Sequence, residues 1–545
     1  MKLIILLFLI VLKSLSSEAS VIKIENGKIV GMEYEKYFAY RGIKYATAER
    51  FSLSKPFEEK WNNIKQLIDY SESCAQYDHL NYEFIGAEDC LFLNVFVPKK
   101  VLDSKEPAPV IFYIHGGAFM FGGSAYYLPE HIMDNEKMIL VTINYRLGIL
   151  GFLSTEDEVL PGNLGMKDQV EALKWVQRNI KAFNGDSNKV TIVGYSAGGA
   201  SVQMHYLSQL SNGLFKNGIS HSGSALNPWV FMENARNKAH KVAEFMDCPH
   251  DDHQKMLECL KQKPTEELVM LLKEFQPFLY NPFSPFGLVV EPAHESAFIS
   301  EHPRKLLESG KFSHLPWLFT QVKDEGLYPG AEFYSKPEYL DQIDKNWEKI
   351  APNILHYNDE TDNVDKLAQA SRMIRKFYMG DEKICRKNFK SFINIITDRL
   401  FKFNAFEAIR LQSKYSPTFF YHFVYKSLSG LSEALSKTTD DLGISHGEDL
   451  LLIFTHDLRT IEYSEDEKTM AQNLINMYYE FSVNDLPKFA SLVIHPSLPD
   501  AIKFLEITSN KKYKMKAVTE KFGNVKFWRK IEKILHSNER SIDEL

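Results

Sequence analysis

Residues 190–193 (VTIV) run directly into Gly194-Tyr195-Ser196-Ala197-Gly198, and a small-residue stretch able to open a helix follows. Few backbones accommodate that join. A strand must turn sharply into a helix within about one residue, and side chains flanking the central serine would collide with neighbouring backbone. Glycine at 194 and 198 removes them. A G-x-S-x-G pentapeptide in this strand–turn–helix setting holds the serine hydroxyl exposed at the strand's C-terminal end. There it lies near a helix N-terminus that favours a developing negative charge.

The flanking sequence supplies a sheet for such a turn. Residues 110–115 (VIFYIH) and 138–144 (MILVTIN) are unbroken apolar runs, as strands buried on both faces are. Residues 166–182 place Val170, Leu173, Trp175, Val176 and Ile180 at helical spacing. Later runs at 317–322 (WLFTQV) and 419–424 (FFYHFV) add strands, with mostly helical patterning between them. Strand–helix–strand order implies crossover connections, hence an α/β fold with a large, mostly parallel twisted sheet flanked by helices. No internal repeat or Gly/Pro/Ser-rich linker divides residues 20–545, which read as one large α/β unit.

A serine hydroxyl needs a base and a donor set for the oxyanion it generates. His115-Gly116-Gly117-Ala118-Phe119, at the end of a predicted strand, offers backbone N–H groups, and the N–H of Ala197 can complete the set. The order serine, acid, histidine directs attention downstream. Glu325, in Asp324-Glu325-Gly326, follows the WLFTQV run, and His446 is bracketed by Gly443 and Gly447. Spacing alone does not select these two from the other acids and the 17 histidines.

The ends of the chain speak to location. Lys2, the apolar run 3–12, and Ser17 and Ala19 at positions suited to cleavage make residues 1–19 a predicted secretory signal peptide. Ten apolar residues are too few for a span needing about twenty, and no later segment is predicted to anchor the chain in a membrane. The terminal Ile542-Asp543-Glu544-Leu545 resembles a retrieval signal lacking its basic residue, so export is expected over retention in the endoplasmic reticulum. No Asn-x-Ser/Thr sequon occurs. The net charge of −7 argues against nucleic acid as a partner. Lys511, Lys512, Lys514, Lys516 and Lys521 are expected to form a solvated helix face. Five cysteines in an oxidising compartment invite pairing, and the nearest neighbours in sequence are Cys74 with Cys90 and Cys248 with Cys259, although other pairings stay open. Oligomeric state is not specified by the sequence.

Taken together, these motifs resemble the type-B carboxylesterase/lipase family, which includes the cholinesterases, with most likeness to insect esterases. The matching stretches span 42–528: EDCLFLN at 88–94, HGGAF at 115–119, NYRLG at 144–148, GNLG at 162–165 with Asp168 and Gln169, GYSAGG at 194–199, DEG at 324–326, SHG at 445–447 and Phe527-Trp528. The resemblance implies a single α/β-hydrolase domain over residues 20–545 and a serine esterase without metal or organic cofactor, acting on small-molecule esters through an acyl-serine. Ser196, Glu325 and His446 would be its triad, and Gly117, Ala118 and Ala197 its oxyanion hole. It implies disulfides Cys74–Cys90 and Cys248–Cys259, leaving Cys385 idle. It places Trp229, Phe283 and Phe286 near the acyl pocket and makes Arg146–Asp168 and Glu88 structural. Three departures bear on substrate. Residues 45–56 lack the family's usual proline pair, so that rim loop is expected to be rearranged. The Cys74–Cys90 loop lacks tryptophan, which removes the best partner for a quaternary ammonium and disfavours acetylcholine. Tyr195 replaces the glutamine typical of juvenile hormone esterases. Small to medium apolar esters are therefore expected, of xenobiotic, odorant or hormone type. The alternatives are a neutral lipid lipase and a catalytically inactive adhesion relative of the neuroligin kind.

Overall fold

The computed structural model describes residues 21–79, 81–455, 462–519 and 521–537. The expected signal peptide at 1–19 and the terminal Ile542-Asp543-Glu544-Leu545 lie outside them. Eleven strands form the main sheet. In chain order they are β1 (Met32–Glu33), β2 (Tyr37–Lys44), β3 (Phe92–Pro98), β4 (Ala108–Ile114), β5 (Ile139–Ile143), β6 (Gly185–Tyr195), β7 (Asn217–His221), β8 (Trp317–Val322), β9 (Thr418–Phe423), β10 (Lys503–Ser509) and β11 (Lys512–Ala517). Across the sheet the order is β11-β10-β9-β8-β7-β6-β4-β5-β3-β2-β1. Every pairing from β5 to β10 is parallel. Antiparallel pairs are confined to the two flanks.

The apolar runs read from the sequence are the central strands of this sheet. All residues of β4, β5, β8 and β9 are buried, because crossover helices cover both faces. Alternation decides which face each side chain joins. Val110, Phe112 and Ile114 of β4 enter one core with Trp175 of α1 (Leu164–Asn179) and Val202 of α2 (Ala197–Leu207). Ile111 and Tyr113 enter the opposite core, with Leu474 and Phe481 of the long helix near the C-terminus, Glu465–Asn484.

The lysine-rich segment differs from the helix face expected of it. Lys512, Lys514 and Lys516 alternate with Tyr513 and Met515 along the edge strand β11, and Lys516 pairs with Glu506 of β10 at 2.6 Å. Period-2 spacing of lysine is strand patterning, and charges on an edge strand discourage pairing with other chains. Both nearest-neighbour disulfides, Cys74–Cys90 and Cys248–Cys259, are formed, while Cys385 is a free thiol whose Sγ donates to Asn388 Oδ1 at 3.3 Å. In the rim loop, Ala46–Thr47 pairs with Lys55–Pro56, and Arg50 donates twice from Nε to the Glu88 carboxylate, at 3.0 and 3.1 Å.

Arg146 and Asp168 meet through two parallel hydrogen bonds of 2.7 Å, from Nε and Nη2, and neither side chain is more than 7% exposed. The arginine also donates to the Ser52 carbonyl at 2.7 Å, which ties the rim loop to α1. Arg146→Met would leave the Asp168 charge buried and unpaired. Loss of about 3–5 kcal/mol is expected, read as a lower urea midpoint. A midpoint unchanged within error would show the pair to be dispensable.

Candidate active site

β6 ends at Tyr195 and α2 begins at Ala197, so Ser196 makes the turn alone, with φ 57° and ψ −118°. Holding a serine there costs about 1–3 kcal/mol, and the surroundings over-determine it. Its N–H donates to the His221 carbonyl at 2.7 Å, and its carbonyl accepts from Ala200 N–H at 2.9 Å. A Cβ on Gly198 would lie 2.0 Å from the Ile114 carbonyl oxygen, and one on Gly223 2.0 Å from that of Ser196. Gly223 thus belongs to the elbow as much as Gly198 does. Sequence reading missed it because its constraint is tertiary.

Glu325 lies in the turn just past β8. Its Oε1 accepts from the Ser222 hydroxyl at 2.6 Å and from Val322 N–H at 2.9 Å, and its Oε2 lies 2.5 Å from His446 Nδ1. The carboxylate is wholly buried. The Glu325 and His446 loops are laced side by side: Asp324 N–H donates to the Ile444 carbonyl and Ile444 N–H to Asp324 Oδ2, each at 3.0 Å. The neighbouring Glu448 accepts from the N–H and hydroxyl of both Ser427 and Ser445, at 2.7–3.2 Å, and braces the histidine loop. Burial pushes its carboxyl above the usual range.

The His446 ring is enclosed by Tyr195, Phe401 and Tyr328, with centroids at 4.7, 4.8 and 5.6 Å. Its Nε2 is buried and has no hydrogen-bond partner among the described residues. His446 and Ser196 line one cavity of about 390 Å³, together with Gly116, Gly117 and Ala118. Tyr328, Phe121, Leu431, Leu435 and Leu451 make much of the remaining wall apolar.

The loop after β4 is wound tightly. Gly117, Ala118 and Phe119 all have positive φ (109°, 55° and 63°). The Gly117 carbonyl accepts from Met120 and Phe121 N–H, and the Ala118 carbonyl from the Ser284 hydroxyl at 2.9 Å. The N–H groups of Gly117, Ala118 and Ala197 make no hydrogen bond to other described residues. Alanine at φ 55° carries strain that glycine would not. His115 supports the loop from below: its ring stacks on Tyr145 at 4.3 Å, and burial lowers its pKa to about 4, keeping it neutral.

None of Trp229, Phe283 and Phe286 is part of the cavity wall. Trp229 sits one ring behind His446, through Phe401 at 6.0 Å, and Phe283 one ring behind it, through Tyr328 at 5.4 Å. Phe286 packs on Phe275 at 4.9 Å, and is fully buried. Among the described residues no group of three or more His, Cys, Asp or Glu side chains is arranged to hold a metal ion.

A mostly parallel sheet with a strained serine turn at its centre, and a glutamate–histidine pair on the following strand-end loops, defines an α/β-hydrolase with the layout of a serine hydrolase. Residues 18–528 match the carboxylesterase family, and the chain belongs to it. It is a serine carboxylic-ester hydrolase acting on small-molecule esters. Venom carboxylesterase-6 of Apis mellifera is 39% identical over 511 residues, 91% of this chain and 90% of that protein. Esterase-5A of Drosophila pseudoobscura pseudoobscura is 36% identical over 491 residues, 87% and 89% of the two chains. The crystal structure of juvenile hormone esterase from Manduca sexta, with OTFP covalently attached, superimposes with a TM-score of 0.82 over 94% of this chain and 99% of that one. At 23% identity that likeness speaks for the fold alone.

Proposed function

We propose that this esterase acts through Ser196, His446 and Glu325 on small to medium apolar esters. The observation that carries this reading is the 2.5 Å bond between Glu325 and His446 Nδ1, which leaves His446 Nε2 buried, without a partner among the described residues and on the same cavity as Ser196. Nδ1 carries the proton donated to the carboxylate, so Nε2 presents its lone pair. His446 takes the Ser196 proton as Oγ attacks the ester carbonyl. The tetrahedral oxyanion receives hydrogen bonds from Gly117, Ala118 and Ala197 N–H. His446 then protonates the leaving alkoxide, and a water molecule repeats the sequence on the acyl-serine to release acid.

Cavity size and lining bear on substrate. A volume of about 390 Å³ lies toward the small end of the range for ligand sites, about 300–1,000 Å³. Each methylene buried on an apolar wall contributes about 0.8 kcal/mol, so kcat/KM should rise with acyl length until the wall is covered. With p-nitrophenyl esters, a maximum is expected at about four to six acyl carbons, with a fall by dodecanoate. A rise continuing through dodecanoate would favour the lipase reading.

The same proposal places the protein in the secretory pathway, since residues 1–19 read as a leader and two disulfides form. No helix among the described residues is long and apolar enough to cross a membrane. Recovery from culture medium with a new N-terminus near Ser20 is the expected result. Full retention in cells would point to the terminal IDEL as a retrieval signal.

A further inference from the structure

Besides the pair proposed for chemistry, the molecule holds a second buried carboxylate–imidazole pair, His221 with Asp449, and neither residue lines the cavity. Both are wholly buried. His221 Nδ1 lies 2.9 Å from Asp449 Oδ2, and its Nε2 bonds to the Tyr478 hydroxyl from the Glu465–Asn484 helix. The same Asp449 oxygen accepts from the Tyr421 hydroxyl of β9 at 2.8 Å and from the Thr320 hydroxyl of β8 at 3.2 Å. These partners hold the Asp449 carboxyl below its usual range although burial opposes it.

The placement of this pair matters more than its strength. His221 is the last residue of β7, and its carbonyl accepts the Ser196 N–H at 2.7 Å. The next residue, Ser222, donates to Glu325. Asp449 is three residues beyond His446, in the loop that carries that histidine. The backbone of 221 therefore sets the nucleophile, while the side chain of 221 sets the loop of the base.

We propose that His221 is a positioning residue for the esterase reaction, registering Ser196 against His446 through its bond to Asp449. The inference rests on the assignment of Ser196 and His446 made above. A buried hydrogen-bonded pair used only for stability could be placed anywhere in the core. This one joins the two loops whose relative position fixes the distance between nucleophile and base, and displacement by about 1 Å there can cost on the order of 100-fold in rate.

The test compares His221→Asn with His221→Leu in the full chain. Asparagine places its Nδ2 donor where Nδ1 stands and keeps the bond to Asp449, whereas leucine fills the space without a donor. Rates on p-nitrophenyl acetate are divided by the sites titrated with an organophosphate, so that misfolded protein does not count. The leucine variant should lose about 30-fold or more in kcat with KM changed less than about threefold, and the asparagine variant should recover most of that loss. Asp449→Asn should lower kcat in the same way, and adding it to His221→Leu should cost little more, as for two members of one unit. Leucine and Asp449→Asn variants that keep kcat per titrated site within about twofold of the parent would overturn the proposal. So would a loss confined to the number of titratable sites. Should His221→Leu fail to fold, Tyr478→Phe supplies the same reading, with a smaller expected drop in kcat at constant KM. Failure of the underlying assignment is told apart by the titration itself: an organophosphate adduct on a residue other than Ser196 would refute the triad and, with it, the role given to His221.

Discussion

Ser196→Ala is expected to reduce kcat for p-nitrophenyl acetate by about 10⁶-fold, leaving only what binding and the oxyanion donors supply. The fold should survive the change. The strain at φ 57° belongs to the backbone, and the bonds that hold it run from the main chain of 196 to His221 and Ala200. Alanine removes the hydroxyl and nothing that those contacts use. Thermal melting should therefore match the parent, while an organophosphate should add no mass to the variant. Activity above about one per cent of the parent's would remove Ser196 from the mechanism.

Glu325→Gln is expected to lower kcat by about 10³- to 10⁴-fold, and the hydrogen bonds around the carboxylate give the reason. Oε1 accepts from both Ser222 hydroxyl and Val322 N–H, so in the variant the amide oxygen must take that position. The amide NH₂ then faces His446 Nδ1, which in the proposed mechanism carries the proton donated to the carboxylate. Two donors cannot meet, and the imidazole must shift its proton to Nε2. The lone pair that should receive the serine proton is then gone. KM should change little, since Glu325 does not line the cavity. A loss smaller than tenfold would mean that glutamate acts by position in the loop alone. Glu325→Asp separates charge from reach: it keeps the negative charge on a shorter stem and should recover part of the rate only if the loop can close the gap.

The two predictions differ in what each residue owes to its neighbours. Ser196 is marked in the sequence by its own pentapeptide. Glu325 is ordinary in sequence, an acid before a glycine, and acquires a role because β7, β8 and the histidine loop converge on it. Ser222 has φ 51° and supplies a hydroxyl to Glu325, yet nothing about a serine after a strand marks it beforehand. Gly223, His221, Tyr195 and Phe401 are of the same kind. Each is defined by an approach between segments far apart in the chain, and no local pattern records such an approach.

The strands β4, β5, β6, β8 and β9 were legible because an unbroken apolar run marks a strand covered on both faces, whereas β7 (NGISH) is as fully buried yet carries Asn217, Ser220 and His221, and its state is set by pairing with β6 and β8. The elbow was legible because its glycines are required by contacts within a few residues as well as by the sheet beneath it. The lysines of β11 were misread because a short cluster without flanking periodicity fits a helix face or an edge strand alike, and pairing with β10 chose between them. Motif order supplied Glu325 and His446 through resemblance, whereas spacing did not. What the chain's own sequence determined is the five apolar strands around the sheet's centre, the serine turn and the glycine loop, each encoded by neighbours in the chain. The tertiary structure alone decided which acid meets which histidine, what holds them in register and how large a cavity they face. The acid and its histidine stand 121 positions apart in the chain, and their approach is set by how buried surfaces pack together.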